Sequence, residues 1–103
     1  MAILVNLTMP EGVPIEMLDA VTKEMDVKAN PPSGLIVHTD YIDDSGRVRG
    51  IDVWESQEAF DDFGQNRLMP AIQKVAAQVG MDPGDGPGPE HVIIQLHDVV
   101  RGR

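Results

Sequence analysis

Along the chain, apolar positions recur with a strand-like period in some stretches and a helical one in others, and the changes of period mark the elements. Residues 2–8 (AILVNLT) are short, apolar and partly β-branched, and Pro10 and Gly12 end them, so they read as a strand. The run is nearly continuous rather than alternating, the pattern of a strand buried on both faces, with Asn6 as its polar exception. Pro14 suits the first position of a helix, where its missing N–H costs nothing. From there Ile15, Leu18, Val21 and Met25 recur at three- and four-residue steps, with Glu16, Asp19, Lys23 and Glu24 between them. That spacing predicts an amphipathic helix over residues 14–28, closed by Asn30, Pro31 and Pro32.

Two strands follow, residues 34–42 and 47–55, joined by the turn sequence Asp43-Asp44-Ser45-Gly46. Pairing Ile42 with Arg47 sets Asp40 opposite Arg49 and His38 opposite Ile51, and the opposed charges favour that register by about 0.2–1 kcal/mol. One face then carries Leu35, Val37, Thr39, Tyr41, Val48, Asp52 and Trp54, the other Ile36, His38, Asp40, Ile42, Ile51 and Val53. A bulge at Gly50 would turn the register and bring His38 onto the face of Trp54. Ser56 is a good N-cap, and Glu58, Asp61 and Asp62 suit the positive end of a helix dipole. Phe60, Phe63, Leu68, Ile72, Val75 and Val79 form an apolar stripe out to Gly80, which Pro70 should break near residues 67–69. Residues 80–90 (GMDPGDGPGPE) read as a mobile loop, 91–100 (HVIIQLHDVV) as the last strand, and 101–103 as a frayed tail.

The order is therefore β-α-β-β-α-β: an α+β, ferredoxin-like arrangement with an antiparallel sheet and two helices on one of its faces. Residues 1–103 make one domain in this reading, since a chain of this length split in two would leave neither half a core. The uncovered sheet face is also apolar, so a second copy placed face to face would cover it, as in a dimeric α/β barrel. Scarce aromatic residues (4% of the chain) argue the same way, because a partner surface offsets a lack of large core fillers.

Charge and composition narrow the function classes. Eight Lys and Arg against seventeen Asp and Glu give a formal net charge of −9, which argues against binding a nucleic-acid backbone or an anionic membrane. With no cysteine there are no disulfides, thiolate metal sites or Cys nucleophiles. No apolar run is long enough to span a bilayer, and MAILVNLTMPEG lacks the features of a signal peptide, so a cytoplasmic protein is expected.

The stretch GLIVHTDYIDDSGRVRGIDVWESQEAFDDFGQNRLMPAI resembles small dimeric α/β-barrel proteins of the antibiotic-biosynthesis-monooxygenase-like group. Val53-Trp54-Glu55-Ser56, followed by Glu58-Ala59-Phe60 and Phe63, is its most recognisable part. That resemblance implies a cleft between sheet and helices, and relatives that include cofactor-free quinone-forming monooxygenases and haem-degrading enzymes. The haem-degrading type is similar in carrying an Asn early in the first strand and a Trp at the end of the third, where this chain has Asn6 and Trp54. Its iron-binding His on the second helix has no counterpart, because residues 56–80 contain no His, Cys or Tyr. No cofactor is expected.

Each candidate for chemistry also has a structural reading. Trp54, the only tryptophan, is either core or the aromatic wall of a pocket. Asp52, two residues earlier on the same face, is costly against an apolar layer unless paired, which makes it either a base or half of an ion pair with a residue such as Arg67. His38 among isoleucines is either satisfied at a dimer interface or a general acid/base. Asn6, Thr39 and Asp52 are the polar members of a layer in which Leu18, Phe60, Phe63 and Ile72 meet Leu35, Val37, Trp54 and Leu96. So few large fillers should leave a cavity there, lined by Trp54, with Asn6 and Thr39 binding substrate and Asp52 and His38 handling protons. No metal site is expected: His91 and His97 lie ~20 Å apart on one strand at 3.3 Å per residue, and the Asp43 turn is half a calcium loop without its closing Glu. Ser33, Ser45 and Ser56 sit in turns or caps, and the glycines of residues 84–88 neither follow a strand nor open a helix. Two function classes remain. One is a cofactor-independent monooxygenase-like enzyme with a small apolar or aromatic substrate, and the other is a noncatalytic ligand-binding or dimerisation module.

Overall fold

A computed structural model describes residues 1–80 and 89–102. The elements are β1 (Ile3–Thr8), α1 (Ile15–Met25), β2 (Leu35–Ile42), β3 (Val48–Trp54), α2 (Gln57–Phe63), a π-helical turn (Gly64–Leu68), α3 (Met69–Gln78) and β4 (Glu90–Gln95). The strands form one sheet in the order β2-β3-β1-β4, and every neighbouring pair is antiparallel. This is the ferredoxin-like α+β fold anticipated from the periodicities. The helices cover one face, and the sheet is not closed into a barrel. Among the described residues no helix is long and apolar enough to cross a membrane.

Side chains of β1 alternate between the faces despite their uniform character. Ile3 and Val5 point to the helices and are buried with Trp54, and Leu35, Ala59, Phe60 and Phe63 pack around them. A second cluster, Val21, Ala71 and Val75, joins α1 to α3, with Met17, Met25, Leu68 and Ile72 packed against it. Helix α1 is shorter than its periodicity predicts at both ends. Pro14 is extended and serves as N-cap, and Asp26 in the left-handed region stops the helix after Met25. Arg67 reaches across from the π-helical turn to donate to the Met25 and Asn30 carbonyls at 2.5 and 2.9 Å, satisfying acceptors that the helix end leaves open.

The hairpin register departs from the sequence-based expectation by one residue. Asp43 pairs with Arg47, its N–H donating to the Arg47 carbonyl at 2.9 Å, so the loop is the three residues 44–46 and Gly46 adopts φ 86°. Asp43 Oδ1 accepts from the Ser45 N–H (2.9 Å), the Ser45 hydroxyl (2.6 Å) and the Arg47 N–H (3.1 Å), which fixes this tight loop. The pairs are consequently Ile42 with Val48, Tyr41 with Arg49, Thr39 with Ile51 and His38 with Asp52. A one-residue slip moves every side chain of a strand to the other face. His38 and Asp40 therefore share the face of Asp52 and Trp54, while Val37, Thr39 and Tyr41 share the open face with Ile51 and Val53. A bulge between Leu35 and Val37, rather than at Gly50, returns Leu35 to the face of Trp54.

Ser56 caps α2 as expected, its hydroxyl accepting from the Ala59 N–H at 3.1 Å. The break predicted at Pro70 takes the form of the π-helical turn, in which the Met69 N–H donates to the Gly64 carbonyl. Pro70 has no N–H to continue an α-helical ladder, and it falls in the first turn of α3, where none is needed. The wider turn lets Phe63 and Leu68, five residues apart, face the same cavity. Strand β4 ends at Gln95 rather than at residue 100, because its partner β1 starts at Ile3; the Leu96 N–H still reaches Ala2 O at 2.9 Å, whereas the Val99 N–H turns to the Asp98 carboxylate at 2.9 Å. Of the predicted loop over 80–90, residues 81–88 lie outside the described residues, as does Arg103 of the tail.

Candidate functional site

A cavity of about 190 Å³ lies between the helices and the sheet. Its roof is apolar, made of Met17, Leu18, Val21 and Met25 from α1 and Phe60, Phe63, Leu68, Met69 and Ile72 from the second helical run. The floor is sheet: Val5 and Leu7 from β1, Leu35 and His38 from β2, Asp52 and Trp54 from β3, and His91 from β4. Almost all of the polar character is on that floor, where β3 brings Asp52 and Trp54 to one face two residues apart and β2 sets His38 beside Asp52. A second hollow, about 460 Å³, is an open groove between the Pro32–Gly34 loop and α2, rimmed by Glu55, Glu58, Asp62 and Arg67.

Trp54 is both core and cavity wall. It is 1% exposed, and its ring centroid lies 5.8 Å from that of Phe60 and 5.1 Å from that of Phe63, so its orientation is fixed by packing. Its indole Nε1 is buried and, among the described residues, has no hydrogen-bond partner. A buried donor left unpaired costs about 1–3 kcal/mol.

His38 Nδ1 and Asp52 Oδ1 are 2.6 Å apart, and His38 Nε2 is 3.5 Å from Asp40 Oδ2. The hydrogen bond to Asp52 is the main cause that raises the His38 pKa above 6.5, opposed by partial burial and assisted by the charges of Asp52 and Asp40. The upward shift favours the imidazolium, which holds the Asp52 carboxylate in place at the cavity floor. The Asp52 side chain is 19% exposed and that of His38 is 38%, so the pair bridges cavity and solvent.

Asn6 and Thr39 do not reach this cavity, contrary to the layer in which the sequence reading placed them. Asn6 projects to the open face, where its Oδ1 accepts from Arg49 Nη2 at 3.1 Å. Thr39, moved there by the hairpin register, donates its hydroxyl to the Ile51 carbonyl at 2.7 Å. Val37 is likewise on the open face, and Leu96 is not part of the cavity wall. Asp52 takes His38 as its partner, not Arg67. Met9, Met17 and Met69 were not singled out in the sequence, where His91 entered only as a rejected metal ligand and Asp40 only as the register partner of Arg49. Met17 and Met25 are eight residues apart in the apolar period of α1, a signal from which Met17 was readable. Among the described residues no three His, Cys, Asp or Glu side chains are grouped to hold a metal ion.

No family model matches the chain, and no curated protein does. Solved structures do match, over nearly their full length. SnoaB, a cofactor-independent oxygenase from Streptomyces nogalater, is similar at 19% identity and a TM-score of 0.60, covering 96% of this chain and 95% of its own. The ActVA-Orf6 monooxygenase of Streptomyces coelicolor, solved in complex with nanaomycin D, gives 17% identity and a TM-score of 0.64, covering 99% of this chain and 93% of its own. The chain has the fold of the antibiotic-biosynthesis-monooxygenase-like proteins. That fold also occurs in a dimeric protein of unknown function from Bacteroides fragilis, at 8% identity and a TM-score of 0.62, covering 92% of this chain and 96% of its own. At such identities the likeness is one of fold.

Proposed function

We propose that the cavity over Asp52 is the active site of a cofactor-independent, monooxygenase-like enzyme acting on a small apolar or aromatic substrate. The observation that carries this reading is the meeting, in one apolar cavity, of the Trp54 ring with a hydrogen-bonded His38–Asp52 pair. Without a cofactor, the electrons that reduce O2 come from the substrate itself, which donates them more readily as an anion. A base is therefore the group such a site needs first. Asp52 is that base, His38 orients it, and the Trp54 ring walls in the aromatic substrate. For a phenol with a free ring position the balance is phenol plus O2 to quinone plus water. The ring loses its hydroxyl hydrogen and one ring hydrogen and gains one oxygen atom. The second oxygen atom leaves as water with both hydrogens, one of them returned by the His38–Asp52 pair.

The open face supports a homodimer. Val37, Tyr41, Val92 and Ile94 are 38–56% exposed there, beside Leu4, Ile51 and Val53, and an apolar surface this continuous is characteristic of an interface. The experiment that tests the catalytic reading is oxygen uptake by the purified protein with a panel of phenols under ¹⁸O2. One labelled atom in the product and one in water is expected, and Asp52→Asn should lower turnover by about 100-fold or more, the usual worth of a general base. A panel that gives binding but no oxygen uptake would favour a ligand-binding module instead.

A further inference from the structure

We propose that this site takes a phenol with a single aromatic ring and that its methionine wall sets that limit, an inference that rests on the cavity being the substrate site. The volume is the first argument. A dry apolar cavity of about 150 Å³ holds one benzene ring, whereas sites for drug-sized molecules run to about 300–1,000 Å³. At about 190 Å³ this cavity fits one ring with a short alkyl substituent. The distribution of polar groups is the second. Among the described residues the roof offers a ligand no charged group, while the floor offers the Asp52 carboxylate to a hydroxyl. A ring with its hydroxyl on the floor and its alkyl edge under the roof matches both surfaces.

The wall itself is unusual. Four of the six methionines of the chain, Met9, Met17, Met25 and Met69, line the cavity. Two are held: Met17 and Met25 pack against the Val21, Ala71 and Val75 cluster that joins α1 to α3. Met69 is 49% exposed and stands where the cavity approaches solvent. The Trp54, Phe60 and Phe63 rings, packed against one another at tilted angles, cannot retreat without opening the core. Unbranched side chains adapt to an alkyl group by changing rotamer, but they do not vacate the volume of a second fused ring. Met17 and Met69 are therefore specificity-determining residues, and shortening either should admit a larger ring system.

The test is calorimetric titration of the full-length protein with 4-propylphenol, 2-naphthol and 9-phenanthrol, and with propylbenzene to measure the worth of the hydroxyl. The para-substituted phenol is blocked at the position opposite its hydroxyl, which makes it a probe of binding rather than of turnover there. Binding of 4-propylphenol at least tenfold tighter than 9-phenanthrol is expected, with propylbenzene about tenfold weaker than 4-propylphenol. Met17→Ala should reduce the preference for one ring over three to below threefold. Met69→Ala should do the same, and its exposed position spares the core should Met17→Ala fail to fold. Equal or tighter binding of 9-phenanthrol by the unmodified protein would overturn the size limit while leaving the cavity as the substrate site. Unchanged selectivity in a folded Met69→Ala protein would remove Met69 from the wall. Binding of none of the four compounds would overturn the substrate-site reading and the limit with it.

Discussion

Replacing Trp54 separates its two roles, because the ring fills the core while its N–H is unpaired. Trp54→Ala empties a site that is 1% exposed, and such truncations cost about 3–5 kcal/mol. Trp54→Phe is a different perturbation. It removes two ring carbons, worth about 1.6 kcal/mol at about 0.8 kcal/mol per buried carbon. It also deletes the unpartnered N–H, which recovers about 1–3 kcal/mol. These contributions nearly cancel, so Trp54→Phe should lie within about 1 kcal/mol of the parent protein, or a Tm change under about 8 °C for a domain this size. The assay is urea unfolding followed by circular dichroism, since both variants lose the only tryptophan fluorophore. Affinity for 4-propylphenol should nevertheless fall, because the cavity has lost part of its aromatic wall. A Trp54→Phe cost of about 3 kcal/mol or more would refute the reasoning, since it would mean that the N–H is already satisfied in solution.

Three further outcomes follow from the geometry. The His38 ring should titrate above 6.5 by NMR, and Asp52→Asn should bring it down. Because the folded pKa is raised, the stability that His38 contributes relative to His38→Gln is fully present below pH 6.5 and is lost as pH rises through the folded value. Ile51→Asp places a charge on the open face beside Val53; light scattering should show a dimer for the parent and a monomer or unfolded chain for the variant, and a parent monomer at tens of micromolar would reject the interface. Gly34→Ala should destabilise the protein markedly in thermal unfolding, since the residue has φ +84° and its added Cβ would stand 2.6 Å from Ala59 Cβ, against the helix that carries Phe60 and Phe63.

Much of the fold was legible because it rests on periodicity. The α1 repeat, the Ser56 cap and the stripe from Phe60 to Val75 each announce themselves in a few residues, and together they dictate the element order. Even the π-helical turn left a trace in the five-residue step from Phe63 to Leu68. The site was less legible because it depends on which face each strand residue takes. In residues 3–8 both faces are apolar at first, so nothing in the composition says that Asn6 looks away from the helices. In the hairpin, the register turns on Gly46 entering the left-handed region and on the Asp43 carboxylate bonding three groups of its own loop. A four-residue loop has the same composition and moves His38 to the opposite face. Asp52 and Trp54 were correctly paired because they lie two apart on one strand, a relation no register can alter.

The central claim is that small aromatic molecules bind over Asp52, His38 and Trp54. Its most direct test is a ¹⁵N and methyl NMR titration of the full-length protein with 4-propylphenol. The account predicts a shift of the Trp54 indole N–H as a ligand ring packs beside the indole, together with shifts of the Leu18 and Ile72 methyls in the roof. Saturable shifts confined to Ile51, Val53 and Ile94 on the open face, with the indole signal unmoved, would contradict it.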